Sequence, residues 1–229
     1  MRSAASSALP RAVLSRAALA SAVRTAVAAG GTRADLRRDA WGHGVDEVAG
    51  AAAAGSLQVL VDDDEIAQRL RMAGVDAVTS GSPDVDPFLF YGLPGAGTPP
   101  VMRLVGTVMS TKPLRAGDAV SYGYTHRAQE PTTVALVTGG YAQGIVRSLG
   151  NRALAEIDGV LRPIIGRVAM DVCVIDLQGA GAAEGAEVTY FGGQGPARDA
   201  LAEWARITGL TVGELVGVAG MSSGREWRA

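Results

Sequence analysis

The chain has 229 residues, of which 48% are hydrophobic and 19% are charged. This is enough apolar material to bury a core, so wholesale disorder is excluded. The formal net charge of −2 argues against a nucleic-acid backbone as the main partner. No run of about 18 apolar residues occurs, so no membrane-spanning helix and no membrane partner are predicted.

The chain contains one Cys (Cys173) and two His (His43 and His126). These numbers exclude a disulfide framework and a cysteine-based zinc site within one chain. The sequence therefore predicts no metal site, and a reducing, cytoplasmic location is expected.

Residues 1–31 are rich in Ala, Ser and Arg and contain no acidic residue. This composition fits either a surface helix or a cleaved targeting presequence. Arg11, Arg16 and Arg24 interrupt any long apolar run, which favours the helix. Its apolar face is predicted to consist of Val13, Leu14, Ala17, Leu19 and Val23.

The segment before Pro99 has an α/β rhythm. Short apolar runs predict buried strands, and amphipathic runs predict helices. Asp62 or Asp63 is the predicted N-cap of the second helix. The predicted elements are the helix Val45–Ala54, the strand Leu57–Val61, the helix Glu65–Met72 and the strand Val75–Val78.

The Pro- and Gly-rich segment Ser80–Pro100 predicts a loop or linker. The rhythm then changes to short β-type runs separated by turns, which is typical of an antiparallel β domain. A helix is predicted over Ala197–Gly209, and residues 221–229 are predicted to fray. The predicted strands are Met102–Met109, Ala119–Tyr124, Thr133–Val137, Ile164–Val168, Cys173–Leu177 and Glu187–Phe191.

The β part contains four motifs, AVSYGYTHRA (Ala119–Ala128), GGYAQG (Gly139–Gly144), RSLGN (Arg147–Asn151) and RPIIGRVAMDVCVID (Arg162–Asp176). In this order and spacing, the motifs resemble the C-terminal domain of alanine racemase. The resemblance covers Val101–Val216, and in the N-terminal part Leu36–Ala49 (LRRDAWGHGVDEVA) resembles the family segment KADAYGHG.

The resemblance implies pyridoxal phosphate as cofactor, bound through a lysine that also serves as one of two catalytic bases. Arg37 replaces this lysine, and Trp41 replaces a tyrosine that contacts the cofactor phosphate in the family. Arginine remains protonated near neutral pH and cannot take over the role of the lysine.

The resemblance also assigns roles within the β part. Tyr122 occupies the position of the second catalytic base, which reaches the site of the other subunit in the family dimer. Tyr141 and Met170 occupy substrate-binding positions.

A complete (β/α)₈ barrel takes about 250 residues. The segment before Pro99 is far too short, so most of the barrel is predicted to be absent. The predicted fold class is α+β, with a truncated α/β remnant derived from a TIM barrel (residues 1–98) and an antiparallel β-barrel-like domain of alanine racemase type (residues 99–229). An incomplete barrel leaves open strand edges, so self-association or a covering partner is expected.

The predicted function follows from the replacement of the cofactor lysine by Arg37 and from the absence of most of the barrel. In the family, the enzyme interconverts L- and D-alanine and supplies D-alanine for the cell wall. Independent activity of this chain is predicted to be absent or very weak, and covalent binding of pyridoxal phosphate is doubted. The alternatives are a non-catalytic module that pairs as a homodimer or with a full-length racemase, and a weakly active or decayed paralogue.

Overall fold

The computed structural model describes residues 9–121 and 123–229, which form two compact units. The first, here called the α/β unit, comprises Val13–Met102 and Arg225–Ala229. The second, here called the barrel unit, comprises Arg103–Gly224 and residues 9–12. Across the described ranges, no helix is both long and apolar enough to cross a membrane.

Short strands alternate with helices through the first part of the chain. The second, third and fourth strands form a parallel sheet in the order β2-β3-β4, as the βαβ rhythm of the sequence predicts. The elements are β1 (Arg11–Ser15), α1 (Arg16–Ala28), β2 (Arg33–Asp35), α2 (Val45–Ala54), β3 (Gln58–Leu60), α3 (Asp64–Met72), β4 (Ala77–Val78) and α4 (Pro87–Tyr91).

The predicted start of α3 is confirmed. Asp63 has an extended backbone and its carboxylate accepts a hydrogen bond from the Ile66 N–H at 2.9 Å, as an N-cap residue does. The acidic run that contains Asp63 therefore begins a helix.

Two predictions for this part of the chain are wrong. Val13 and Leu14 lie in β1 and not on a helical face, because the helix begins only after Ser15, whose side chain caps it. The segment predicted as a loop contains α4, which starts with Asp86 as N-cap and a proline in its first turn. The density of Pro and Gly concealed this start signal.

The barrel unit is built on antiparallel strands. Six of them follow the order β12-β9-β10-β11-β8-β5, and pairing of β12 with β5 closes the barrel. This structure confirms the predicted fold class. The strands are β5 (Met102–Leu114), β6 (Ala119–Val120), β7 (His126–Arg127), β8 (Thr132–Thr138), β9 (Leu154–Ile157), β10 (Val160–Ile165), β11 (Val172–Asp176) and β12 (Glu187–Phe191).

Side chains that alternate along the strands fill the barrel. Ala135 and Val137 of β8 and Cys173 and Ile175 of β11 are fully buried. The two strands are paired so that Cys173 lies opposite Val137. Burial raises the pKa of the Cys173 thiol to about 12, so this cysteine is a core residue.

The end of the barrel unit is helical. α5 (Ala200–Thr208) buries Trp204 edge-to-face against Phe191, with ring centroids 5.5 Å apart, and Gly209 ends the helix in a left-handed conformation. α6 (Val212–Ser222) begins with a capping box between Thr211 and Glu214. β13 (Gly224–Arg228) follows, so the prediction that residues 221–229 fray is wrong.

Candidate functional site

Arg37 follows the carboxyl end of β2 and is held by a neighbouring carboxylate. Its guanidinium donates two hydrogen bonds to Asp35, from Nε to Oδ1 and from an Nη to Oδ2, both 2.8 Å long. Hydrogen bonding to Asp35 raises the pKa of Arg37. Burial alone would raise the pKa of Asp35, but its hydrogen bonds with Arg37 outweigh burial and lower it. The pair is therefore charged at neutral pH, and position 37 carries no free amine.

The next four residues form a left-handed turn. Arg38, Asp39, Ala40 and Trp41 have φ values of 56°, 55°, 52° and 53°. This conformation costs about 1–2 kcal/mol per residue for L-amino acids other than glycine. The surrounding structure must supply interactions that hold the turn.

Three polar interactions provide that support. The Arg38 N–H donates to the Asp62 carboxylate at 2.7 Å, and the Val45 N–H donates to Asp39 at 2.8 Å. Arg225 forms a salt bridge with the same Asp39. The turn is thus tied to the start of α2 and to the last residues of the chain.

An aromatic stack lies beside the turn. The His43 ring lies 4.5 Å from that of Tyr91, and the Trp41 ring lies 5.7 Å from it. The Tyr91 hydroxyl donates to the Asp35 carbonyl at 2.8 Å. Trp41, predicted to contact a cofactor phosphate, is thus part of this packing, and whether it also binds a phosphate stays a prediction.

His43 is fully buried within the stack. Its Nδ1 lies 3.0 Å from the Ala40 carbonyl oxygen, while Nε2 has no hydrogen-bond partner among the described residues. Burial lowers the pKa of His43 to about 4, so the ring is neutral at physiological pH. The Gly-His-Gly sequence around His43 gave no sign of this stack, because Tyr91 lies far away in sequence.

The barrel unit brings two of the predicted substrate-binding residues together. The Tyr141 N–H donates to the Ala169 carbonyl at 2.9 Å, and the Ala142 N–H donates to the Met170 carbonyl at 3.0 Å. The side chains of Tyr141 and Met170 remain 39% and 55% exposed. The Arg147 guanidinium lies over the Tyr141 ring at 5.9 Å. This part of the surface is available to a ligand or to another protein.

Tyr122, the predicted second base, lies outside the residues that the structure describes. Its neighbours Ser121 and Gly123 line an open cleft of about 550 Å³. The cleft is otherwise lined by apolar side chains and by Arg167, and the Ser121 hydroxyl donates to the Arg167 carbonyl at 2.5 Å. The other lining residues are Tyr124, Leu136, Ala169, Val172 and Val174.

A buried amide connects the two segments that carry Tyr141 and Met170. Gln143 accepts a hydrogen bond from the Gly140 N–H at 2.9 Å, and its Nε2 donates to the Asp171 carboxylate at 3.0 Å. The motif GGYAQG (Gly139–Gly144) includes this position, but the motif alone did not reveal the contact. A carboxylate could not donate to Asp171 unless it were protonated.

Comparison with known proteins agrees with this geometry. Residues 101–226 match the family model described as "Alanine racemase, C-terminal domain". The chain belongs to the alanine racemase family. Among curated alanine racemases, that of Mycobacterium avium (strain 104) is 43% identical over 123 residues, and that of Streptomyces coelicolor is 36% identical over 135 residues. These segments are 52% and 55% of this chain but only 31% and 34% of the two racemases, about a third of their length.

Solved alanine racemases share the fold. The structure from Streptomyces coelicolor A3(2) aligns with a TM-score of 0.77 and 20% identity, over 96% of this chain and 98% of that one. The structure from Streptomyces lavendulae aligns with a TM-score of 0.83 and 18% identity, over 96% and 97%. At these identities the likeness establishes the fold alone.

The alanine racemase family implies pyridoxal phosphate, and a covalently bound form of this cofactor needs a lysine amine. Position 37 carries a guanidinium that is already paired with Asp35. Lys112 is the only lysine of the chain and lies exposed on β5, opposite Val134 on β8.

Proposed function

We propose that this chain is a member of the alanine racemase family that does not racemise alanine on its own. The Arg37–Asp35 pair is the observation that carries the proposal. Removal of a proton from the α-carbon of alanine requires an electron sink and a base on each face. A protonated guanidinium held by two hydrogen bonds can neither anchor the sink nor accept a proton.

The reduced size of the α/β unit supports the same proposal. Its parallel sheet has three strands, whereas a (β/α)₈ barrel has eight. The racemase from Streptomyces coelicolor is much longer than this chain, since the same aligned residues make up 55% of one and 34% of the other. An alignment of this short chain that extends over 98% of such a long chain must leave out a segment in the interior of the long chain. We therefore retain residues 1–98 as the proposed barrel remnant and residues 99–229 as the proposed C-terminal domain.

Titration of the purified chain with pyridoxal phosphate tests the proposal. We expect no visible band of a lysine-bound cofactor, no borohydride-trapped adduct and no interconversion of L- and D-alanine. An intact racemase provides the positive control. A trapped adduct in the natural chain that disappears in Lys112→Arg would contradict the proposal, as would measurable racemisation.

The variant Arg37→Lys separates the effect of residue 37 from the effect of the shortened barrel. If residue 37 alone prevents covalent binding, the variant gains a borohydride-trapped adduct at that position. If the shortened barrel also prevents binding, the variant behaves like the natural chain. Arg33→Lys is a matched control, because it introduces an amine into the preceding strand β2 instead of at position 37.

A second candidate function is a non-catalytic module that pairs with a full-length racemase or with itself. The exposed side chains of Tyr141 and Met170 favour it, together with the half-buried apolar lining of the nearby cleft. Co-purification with an intact racemase tests this function. We expect Tyr141→Ala to weaken the complex, whereas Leu154→Ala, which alters another exposed apolar residue, should leave it unchanged.

A further inference from the structure

The outer edges of the three-stranded parallel sheet are the least expected feature of the α/β unit. The sequence predicts that an incomplete barrel leaves such edges open. In β2, the N–H and C=O of Ala34 face β3. The hydrogen bonds on either side of it show this, because the Gln58 N–H donates to the Thr32 carbonyl and the Leu36 N–H donates to the Leu60 carbonyl. Because the backbone alternates, the N–H and C=O of Arg33 point to the opposite side, where the sheet has no further strand.

The Asp84 carboxylate occupies this side of β2. Its Oδ1 accepts hydrogen bonds from the Thr32 N–H at 2.8 Å and from the Arg33 N–H at 2.7 Å. Its Oδ2 accepts a hydrogen bond from the Thr32 hydroxyl. One side chain thus satisfies two backbone donors and one hydroxyl at the edge.

The backbone around Asp84 satisfies the acceptor of the same residue. The N–H groups of Asp84 and Val85 both approach the Arg33 carbonyl oxygen at 3.1 Å. The Val85 side chain is buried and lies close to Gly31, where it would meet an added Cβ. Further along the edge, the Asp35 carbonyl accepts the hydrogen bond from Tyr91. The segment from Asp84 to Tyr91 therefore follows β2 in the place of a neighbouring strand.

The opposite edge of the sheet has a similar arrangement. Asp76 and Val78 accept hydrogen bonds from β3, so the C=O of Ala77 points outward from β4. Arg71, at the end of α3, donates from Nε to this carbonyl at 2.8 Å. A side chain from a neighbouring segment thus bonds to backbone groups at each edge, Asp84 at β2 and Arg71 at β4.

We propose that Asp84 is an edge-capping residue that fastens the following segment along β2 and prevents this strand from pairing with β2 of a second copy of the chain. An uncovered strand edge is a template for pairing with another chain. A carboxylate placed over the N–H groups both satisfies these donors and repels an incoming carbonyl. The proposal is independent of the presence or absence of racemase activity.

Two variants of the full chain test the proposal. Asp84→Ala removes all three acceptor contacts, and Asp84→Asn retains one acceptor oxygen but loses the charge. We expect the Thr32 and Arg33 amides to exchange hydrogen about tenfold faster in Asp84→Ala, with a smaller change in Asp84→Asn. We also expect the molar mass of Asp84→Ala, measured by light scattering, to rise with protein concentration relative to the natural chain.

Glu130→Gln is the matched control, because it removes one exposed carboxylate from the barrel unit. It should leave both readouts unchanged. Unaltered exchange at Thr32 and Arg33 in both Asp84 variants would overturn the proposal. A molar mass of Asp84→Ala equal to that of the natural chain at every concentration would also overturn it. If Asp84→Ala fails to fold, Asp84→Asn alone decides by the same two measurements.

Discussion

Replacement of Gln143 by Glu preserves the size of the side chain and yet should destabilise the barrel unit. Gln143 is only 5% exposed and uses both ends of its amide. Its oxygen accepts from the Gly140 N–H, and its nitrogen donates to Asp171. In Gln143→Glu the first contact remains possible, but the second becomes a contact between two carboxylate oxygens.

The size of the effect follows from that second contact. A hydrogen bond to a charged group contributes about 1.5–3 kcal/mol. Repulsion between the carboxylates adds to its loss, although the exposure of Asp171 allows solvent to screen much of it. We expect the free energy of unfolding to fall by about 2–3 kcal/mol at pH 7. At acid pH the introduced carboxyl takes up a proton and again supplies a donor to Asp171, so the loss of stability should be smaller.

Urea unfolding followed by tryptophan fluorescence measures this effect, since Trp204 is buried in the barrel unit. The second substitution Asp171→Asn in the Gln143→Glu background provides the control, because it reverses donor and acceptor across the same contact. It should restore most of the lost stability. The reasoning is refuted if Gln143→Glu unfolds at the same urea concentration as the natural chain at pH 7. It is also refuted if the double variant is no more stable to urea than the single variant.

Two further predictions concern burial and close packing. His43 takes up a proton in the unfolded chain near pH 6.5 but in the folded chain only near pH 4. The free energy of unfolding should therefore fall by up to about 3 kcal/mol as the pH drops through this window. In unfolding experiments across pH 4–7, the free energy of unfolding of His43→Gln should depend less on pH than that of the natural chain. Gly140→Ala should destabilise the chain by about 1–3 kcal/mol in thermal unfolding, because a Cβ there overlaps the Ala169 and Met170 carbonyl oxygens. Gly50→Ala, which meets no neighbour in α2, should not destabilise it.

Local patterns were sufficient to predict part of the barrel unit. β8 and β11 are rich in β-branched residues, and β12 has the predicted bounds, Glu187–Phe191. β7, β9 and α6 were not predicted, and the predicted strand Ile164–Val168 shares only Ile164 and Ile165 with β10. The Asp158–Gly159 pair forms the turn between β9 and β10, and both residues have positive φ. The strands that were predicted depend on residues that are neighbours in sequence.

The candidate site depends on residues that are distant in sequence. The segment RRDAW contains no glycine or asparagine, so nothing in it predicts four consecutive left-handed residues. The conformation is held by Asp62 and Arg225, which lie outside the segment. In the same way, Tyr141 and Met170 meet only because β8 and β11 are paired strands. A motif can mark such positions, but it does not give their contacts.

The supports of the left-handed turn do not depend on the identity of residue 37. None of these supports involves residue 37, because they act on Arg38, Asp39 and the ring of His43. An arginine at position 37 adds two hydrogen bonds to Asp35, a geometry that an ammonium group does not match. This half-exposed ion pair contributes at most about 1 kcal/mol. The Arg37 side chain therefore contributes little to stability, and the main chemical property of this position is a guanidinium that stays protonated at neutral pH.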